Sequence, residues 1–176
     1  MNGLLSIFLG VLLTTTLHAE ERFLLAADTQ VIEVNRQGHV TEVLRQPGHD
    51  GIYDAWRLPD GGIAYAYRGG LAVFDAGKKP VLNVAAQPGS KGAEANSCAV
   101  LEEGARFALM DSGASQIRIV DRKGTTISET ALPDLDADPL HFRYRMLRAT
   151  PSGNASGWAN MDARRRCSWK RRWAKS

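Results

Sequence analysis

The side chains best suited to chemistry in this chain fall in three short groups. His49, Asp50, Asp54, Trp56 and Arg57 form the first, Glu94, Asn96, Ser97 and Cys98 the second, and His141, Arg143, Arg145 and Arg148 the third. A loop histidine can move a proton or hold a metal near neutral pH, which makes His49 and His141 the acid/base or ligand candidates. Asp54, Asn96 and Arg145, taken as one level of successive repeats, combine acceptor, amide and cation, a set suited to a sugar, a carboxylate or a metal-bound lactone. Ser97 lacks the glycines of a nucleophile elbow. Cys98 has no basic neighbour to hold it as thiolate, and is expected as a small buried residue. Such polar side chains more commonly solvate a wet channel or cap strand ends, and isolated loop histidines more commonly have no catalytic role. The sequence therefore marks His49, Asp54, Trp56, Arg57, Asn96, Ser97, His141, Arg143, Arg145 and Arg148 as a candidate ligand face and assigns no catalytic residue.

What must position these groups is a unit that recurs. Ala55 to Tyr67 runs as a strand, the turn Pro59-Asp60-Gly61-Gly62 and a second strand, followed by Leu71 to Asp75. Ser97 to Leu109 and Ile117 to Asp121 repeat the pattern. Gly62 and Gly104 are 42 residues apart, Asp75 and Asp121 are 46 apart, and the surplus falls where a hairpin loop belongs. Short strands on such a period are the blades of a β-propeller. The first blade has three predicted strands, at 23–28, 30–35 and 40–44; the next two have four each. Asn35, Asp75 and Asp121 precede the turns Gln37-Gly38, Ala76-Gly77 and Lys123-Gly124, where an amide or carboxylate accepts turn N–H bonds and glycine takes positive φ.

A fourth copy begins at His141, and Gly153 follows Gly104 by 49 residues. After Asn154 the pattern changes to Trp and Arg. Arg164, Arg165, Arg166, Lys170, Arg171, Arg172 and Lys175 put seven cations into the last 13 residues; without them the chain has 15 basic against 19 acidic residues. The net charge of +3 thus belongs to the tail, and the propeller part offers no basic surface for nucleic acid. The break reads as a shifted reading frame, with a native basic tail for an acidic surface, nucleic acid or anionic lipid as the alternative. At the other end, Leu4 to Leu13 is an apolar run too short for a bilayer, followed by Ala19 and the charged Glu20-Glu21-Arg22. It reads as a signal peptide cut after Ala19, with an uncleaved anchor as the alternative. The expected divisions are a leader at 1–19, a partial propeller at 20–154 and a disordered tail at 155–176. The fold class is all-β: about three to three and a half blades in an open arc, without ring closure. Periplasmic or secreted localisation follows from the leader. Cys98 and Cys167 would then meet oxidising conditions, though their spacing requires no disulfide and neither has metal-ligand neighbours.

Arg57-Leu58-Pro59-Asp60-Gly61-Gly62, Asn96 to Leu101 and Arg145 to Asn154 resemble the repeats of exported bacterial PQQ-like (quinoprotein-type) β-propeller proteins. The resemblance covers roughly residues 22 to 154 and is shared with gluconolactonase-like and NHL-type propellers. It implies six to eight blades, of which this chain would be the N-terminal half. PQQ or Ca2+ enter as cofactors through the resemblance alone, and the aromatic docking motif of quinone-dependent dehydrogenases is not recognisable. Three functions are compatible with these features. One is an exported propeller that binds a small molecule or protein through its channel, with no membrane span once the leader is removed. The others are part of a quinone- or metal-dependent enzyme and a non-functional fragment.

Overall fold

The computed structural model describes residues 21–90, 92–133, 144–150, 155–161 and 165–171. The expected leader, its cut after Ala19, and His141 and Arg143 lie outside the described residues.

Alternating apolar and polar residues broken by Gly and Asp turns give one antiparallel meander after another. β1 (Arg22–Ala27), β2 (Gln30–Asn35) and β3 (Val40–Leu44) make the first blade. β4 (Asp54–Arg57), β5 (Ile63–Tyr67), β6 (Gly70–Phe74) and β7 (Pro80–Ala85) make the second. A small hairpin of β8 (Pro88–Gly89) and β9 (Gly92–Ala93) leads into the third: β10 (Ala95–Leu101), β11 (Arg106–Asp111), β12 (Gln116–Asp121) and β13 (Thr126–Ala131). β14 (Tyr144–Ala149), β15 (Ala155–Met161) and β16 (Arg165–Arg171) form the fourth. Strands pair only within their own sheet, so the described residues form an open arc of propeller-like blades and no closed ring. No described strand pairs with the second edge of β1, where the other complete blades carry their innermost strand.

The fourth sheet corrects one expectation. The tail after Asn154 was expected to be disordered, yet Ala155 pairs with Ala149, and Trp158 and Ala159 pair with Ser168 and Cys167. Net charge and arginine content do not oppose a ladder made of backbone groups, and β14 supplies an edge to extend. Composition weighed over the whole segment hid its local strand-forming capacity.

The blades pack through faces that alternate along each strand. In β5, Ile63, Tyr65 and Tyr67 join the core facing β2 and β3, whereas Ala64 and Ala66 join the core shared with the third blade. In β11, Phe107 and Leu109 face the second blade, and Ala108 and Met110 face the fourth. Phe107 and Leu109 share one buried core with Ala64, Ala66, Leu71 and Val73, which is how the second and third sheets interlock at interior density. β5 and β6 are buried along their whole length for this reason. Beyond the arc's first blade there is no described neighbour, and Phe23, Leu25, Val40 and Val43 are exposed.

The turn chemistry is as expected with one change. Asn35 Oδ1 accepts N–H bonds from Gln37 and His39, Asp75 Oδ1 from Lys79, and Asp121 Oδ1 from Lys123 and Thr125. Those bonds hold the Asp121 carboxyl below its ordinary range. Gly38 and Gly124 take positive φ, but in the second blade Lys78 does so at 63° and Gly77 does not. The left-handed position is the fourth residue of each turn, which Gly77 misses by one. Lys78 instead reaches the first blade, 3.4 Å from Glu42 and 3.3 Å from the Val43 carbonyl.

Candidate functional site

The innermost strands β4, β10 and β14 bring together side chains from three successive blades. Ser97 Oγ donates to Asp54 Oδ2 at 2.5 Å and accepts the Leu147 N–H at 2.9 Å. Arg148 Nη1 donates to the same Asp54 oxygen and to the Leu147 carbonyl, both at 2.7 Å. Its guanidinium lies 5.1 Å over the Trp56 ring, and Trp56 Nε1 donates to the Cys98 carbonyl at 2.8 Å. Each group is thus fixed by a neighbour on another blade. A cation over an indole face and a charge-assisted bond to a nearly buried carboxylate both favour this placement.

Asp54, Trp56, Ser97 and Arg148 of the candidate face therefore meet, and in the expected level of Asp54, Asn96 and Arg145 it is Ser97 rather than Asn96 that bonds Asp54. A register shift between Ala95 and Ser97 sets Ser97 against Asp54. Asn96 turns to the fourth blade, where Nδ2 donates to the Tyr144 carbonyl at 2.9 Å, and its buried Oδ1 has no hydrogen-bond partner among the described residues. Arg145 stands in β14 between Tyr144 and Met146, where that strand's own register shifts. Ser97 Oγ is held on both sides, donating to the Asp54 carboxylate and accepting from the Leu147 N–H. Cys98 is a free thiol with no exposure, and burial first, then the nearby Asp54 charge, pushes it well above its ordinary value.

Arg57 and His49 are placed elsewhere. Arg57 Nη2 bonds both Glu33 and, at 2.6 Å, Glu42 of the first blade, and Nη1 reaches the Gly61 carbonyl at 3.0 Å. Glu33, a residue the sequence did not single out, also takes Arg22 and Thr41 Oγ1, each at 3.0 Å. Burial pushes the Glu33 carboxyl up, but the bonds from Thr41, Arg22 and Arg57 outweigh it and hold the group below its usual value. This is a clasp between the first two blades. His49 lies flat on Tyr67, ring centroids 3.9 Å apart, with Nδ1 2.7 Å from the Tyr65 hydroxyl. It borders a shallow cleft of about 380 Å³ lined by Thr29 and residues 45–50. Nearby, Arg68 pairs with Asp50 at 3.0 Å and the Tyr53 hydroxyl donates to Glu94 at 3.3 Å.

Burial lowers the His49 pKa, so the folded chain favours neutral imidazole. Stability from this source is complete above the ordinary value of 6.5 and falls as pH drops from there through the lowered folded value. Urea midpoints measured across that window should decline in the native chain and be flatter in His49→Phe. Equal slopes in both would show that the imidazole is not desolvated.

Among the described residues, no three His, Cys, Asp or Glu side chains converge as a metal site. A calcium ion seeks six to eight oxygen ligands, and at Asp54 Oδ2 it would compete with the Arg148 cation already bound there. The donors on this face do not fit calcium, and nothing in them defines a quinone site. None of the described helical segments is long and apolar enough to cross a membrane.

No family model matches the chain, and no curated protein matches it. Among solved structures it is similar to a protein of unknown function from Bacteroides caccae, with a TM-score of 0.62 and 19% identity. That match covers 77% of this chain and 50% of the other, so the chain spans half the length of the Bacteroides protein. It is also similar to hydrazine synthase of Kuenenia stuttgartiensis, with 16% identity over 69% of this chain and 32% of that one, at a TM-score of 0.48. At 19% identity the Bacteroides match is one of fold. The described residues thus define an all-β protein of propeller-like blades whose inner strands carry a polar cluster shared by three of them.

Proposed function

We propose that this chain is the blade-bearing part of an exported propeller that binds a small polar ligand through the channel wall, and that its repeats are of the PQQ-like type. The observation that carries it is the Asp54, Ser97 and Arg148 cluster, assembled from three blades around one carboxylate oxygen. A fold gains little by gathering charge on its inner strands unless something polar is met there, and function in propellers is carried by site residues rather than by architecture. Ser97 and Asp54 position, Arg148 binds, and Trp56 fixes the guanidinium plane. The Glu33 and Arg57 clasp, the Asn35, Asp75 and Asp121 turns and the buried Cys98 are structural. Export rests on the apolar run before Ala19, and a secreted product beginning at Glu20 by mass is its expected mark.

Thermal melts with glucose, gluconate or calcium chloride at about 10 mM test the assignment. At least one of the two organic probes should raise the melting temperature, and Asp54→Ala should remove the rise. Calcium should leave the melt unchanged. No response to either organic probe would end the channel-binding proposal.

A further inference from the structure

We infer that Arg148 is a side-on receptor for a ligand carboxylate, an assignment that rests on the channel-binding function above and narrows it to a chemical class. An arginine side chain has five N–H donors in a fixed plane. Here Nη1 serves Asp54 Oδ2 and the Leu147 carbonyl. Nε and Nη2, which together form the side-on edge of the fork, have no hydrogen-bond partner among the described residues, and the side chain is 38% exposed. The unused edge is the one that matches two carboxylate oxygens with two parallel bonds.

Three contacts hold that edge still. Asp54 and the Leu147 carbonyl pin Nη1, and Trp56 lies beneath the plane at 5.1 Å. Trp56 in turn is tied to the Cys98 carbonyl, and Asp54 to Ser97, so the guanidinium is oriented by groups that are themselves oriented. A fork fixed before binding loses less side-chain entropy when the ligand arrives. The occupied Asp54 also neutralises part of the charge, which disfavours multiply charged anions that bind by field alone and favours a ligand read by geometry. A lysine at this position would keep the charge and lose the fork.

Sodium acetate is the probe, with sodium chloride as the anion control and glucose as the neutral one, on the full chain. In nitrogen-15 spectra acetate should shift the Arg148 Nε–H resonance saturably, and chloride should not. The resonance is identified by its loss in Arg148→Lys, which should weaken acetate at least about tenfold. If that variant does not fold, Arg148→Gln identifies the resonance instead, and the buried Arg118 Nε–H, already bound to Asp111, should stay unmoved as the Arg148 signal shifts. A chloride response equal to that of acetate, an unchanged affinity in folded Arg148→Lys, or movement of both arginines together would overturn the inference. Glucose binding without acetate binding would remove the carboxylate assignment and leave the channel function standing. Failure of both probes would remove the two together.

Discussion

Arg118→Met should cost about 3–5 kcal/mol of folding stability, because it strands a charge in the third blade. Asp111 is fully buried and Arg118 nearly so. Arg118 Nε donates to Asp111 Oδ2 at 2.5 Å and Nη2 to Oδ1 at 3.2 Å, a bidentate pair on one face of β11 and β12. Nη2 also reaches the Ala85 carbonyl at 2.6 Å, and Asp111 Oδ1 accepts the Gln87 N–H at 3.0 Å. The pair thereby anchors the strand leaving the second blade to the third. Burial raises the Asp111 carboxyl even with Arg118 beside it, and without the guanidinium it rises further. A raised carboxyl favours the protonated folded state, so the variant's deficit should shrink as pH falls through that raised value and be largest at neutral pH. Urea unfolding at two pH values measures both effects. Arg68→Met is the comparison, since its pair with Asp50 is more than half exposed on both sides and should matter by less than about 1 kcal/mol. Equal losses in the two variants would mean that the Asp111 site is wetter than its geometry implies.

The sequence carried the blades further than the site. β2 and β3 begin and end at the predicted residues 30–35 and 40–44, because each strand is bounded by a Gly or Asp turn whose chemistry is local. Where geometry depends on a second blade, sequence pattern failed. Nothing local tells that Arg57 bends to Glu33 across a blade boundary, or that a register shift exchanges Asn96 for Ser97 opposite Asp54. The same holds for Asp111 and Arg118: seven residues apart on paired strands, they share one face only through the pairing of Leu109 with Arg118. The β8 and β9 hairpin was also missed, being two residues on each strand with Pro and Gly among them. The strands after Asn154 were missed for the opposite reason: a segment-wide charge bias outweighed a local pattern that a neighbouring edge could use.

Phe107→Ala should remove about 3–5 kcal/mol and, more tellingly, divide the unfolding into two steps. Phe107 has no exposure and belongs to the core that Leu58, Leu71, Val73, Leu109 and Val120 form between the second and third blades. The ring lies in a closed core, so its loss leaves a cavity that the surrounding side chains fill only in part. In an arc, each blade is supported chiefly by its neighbours, and stability is roughly a sum of blade terms and interface terms. The interface that Phe107 fills is the one joining the first two blades to the last two. Weakening it should leave the Tyr65, Phe74 and Ile52 core on one side and the Met110, Ile117 and Leu147 core on the other, each with its own transition. Calorimetry reads this as a van't Hoff enthalpy that falls below the calorimetric one in the variant alone. A loss of similar size with a single cooperative transition would show that the blades are coupled by more than this interface, with the Glu33 and Arg57 clasp and the Asp111 and Arg118 anchor the next contacts to remove.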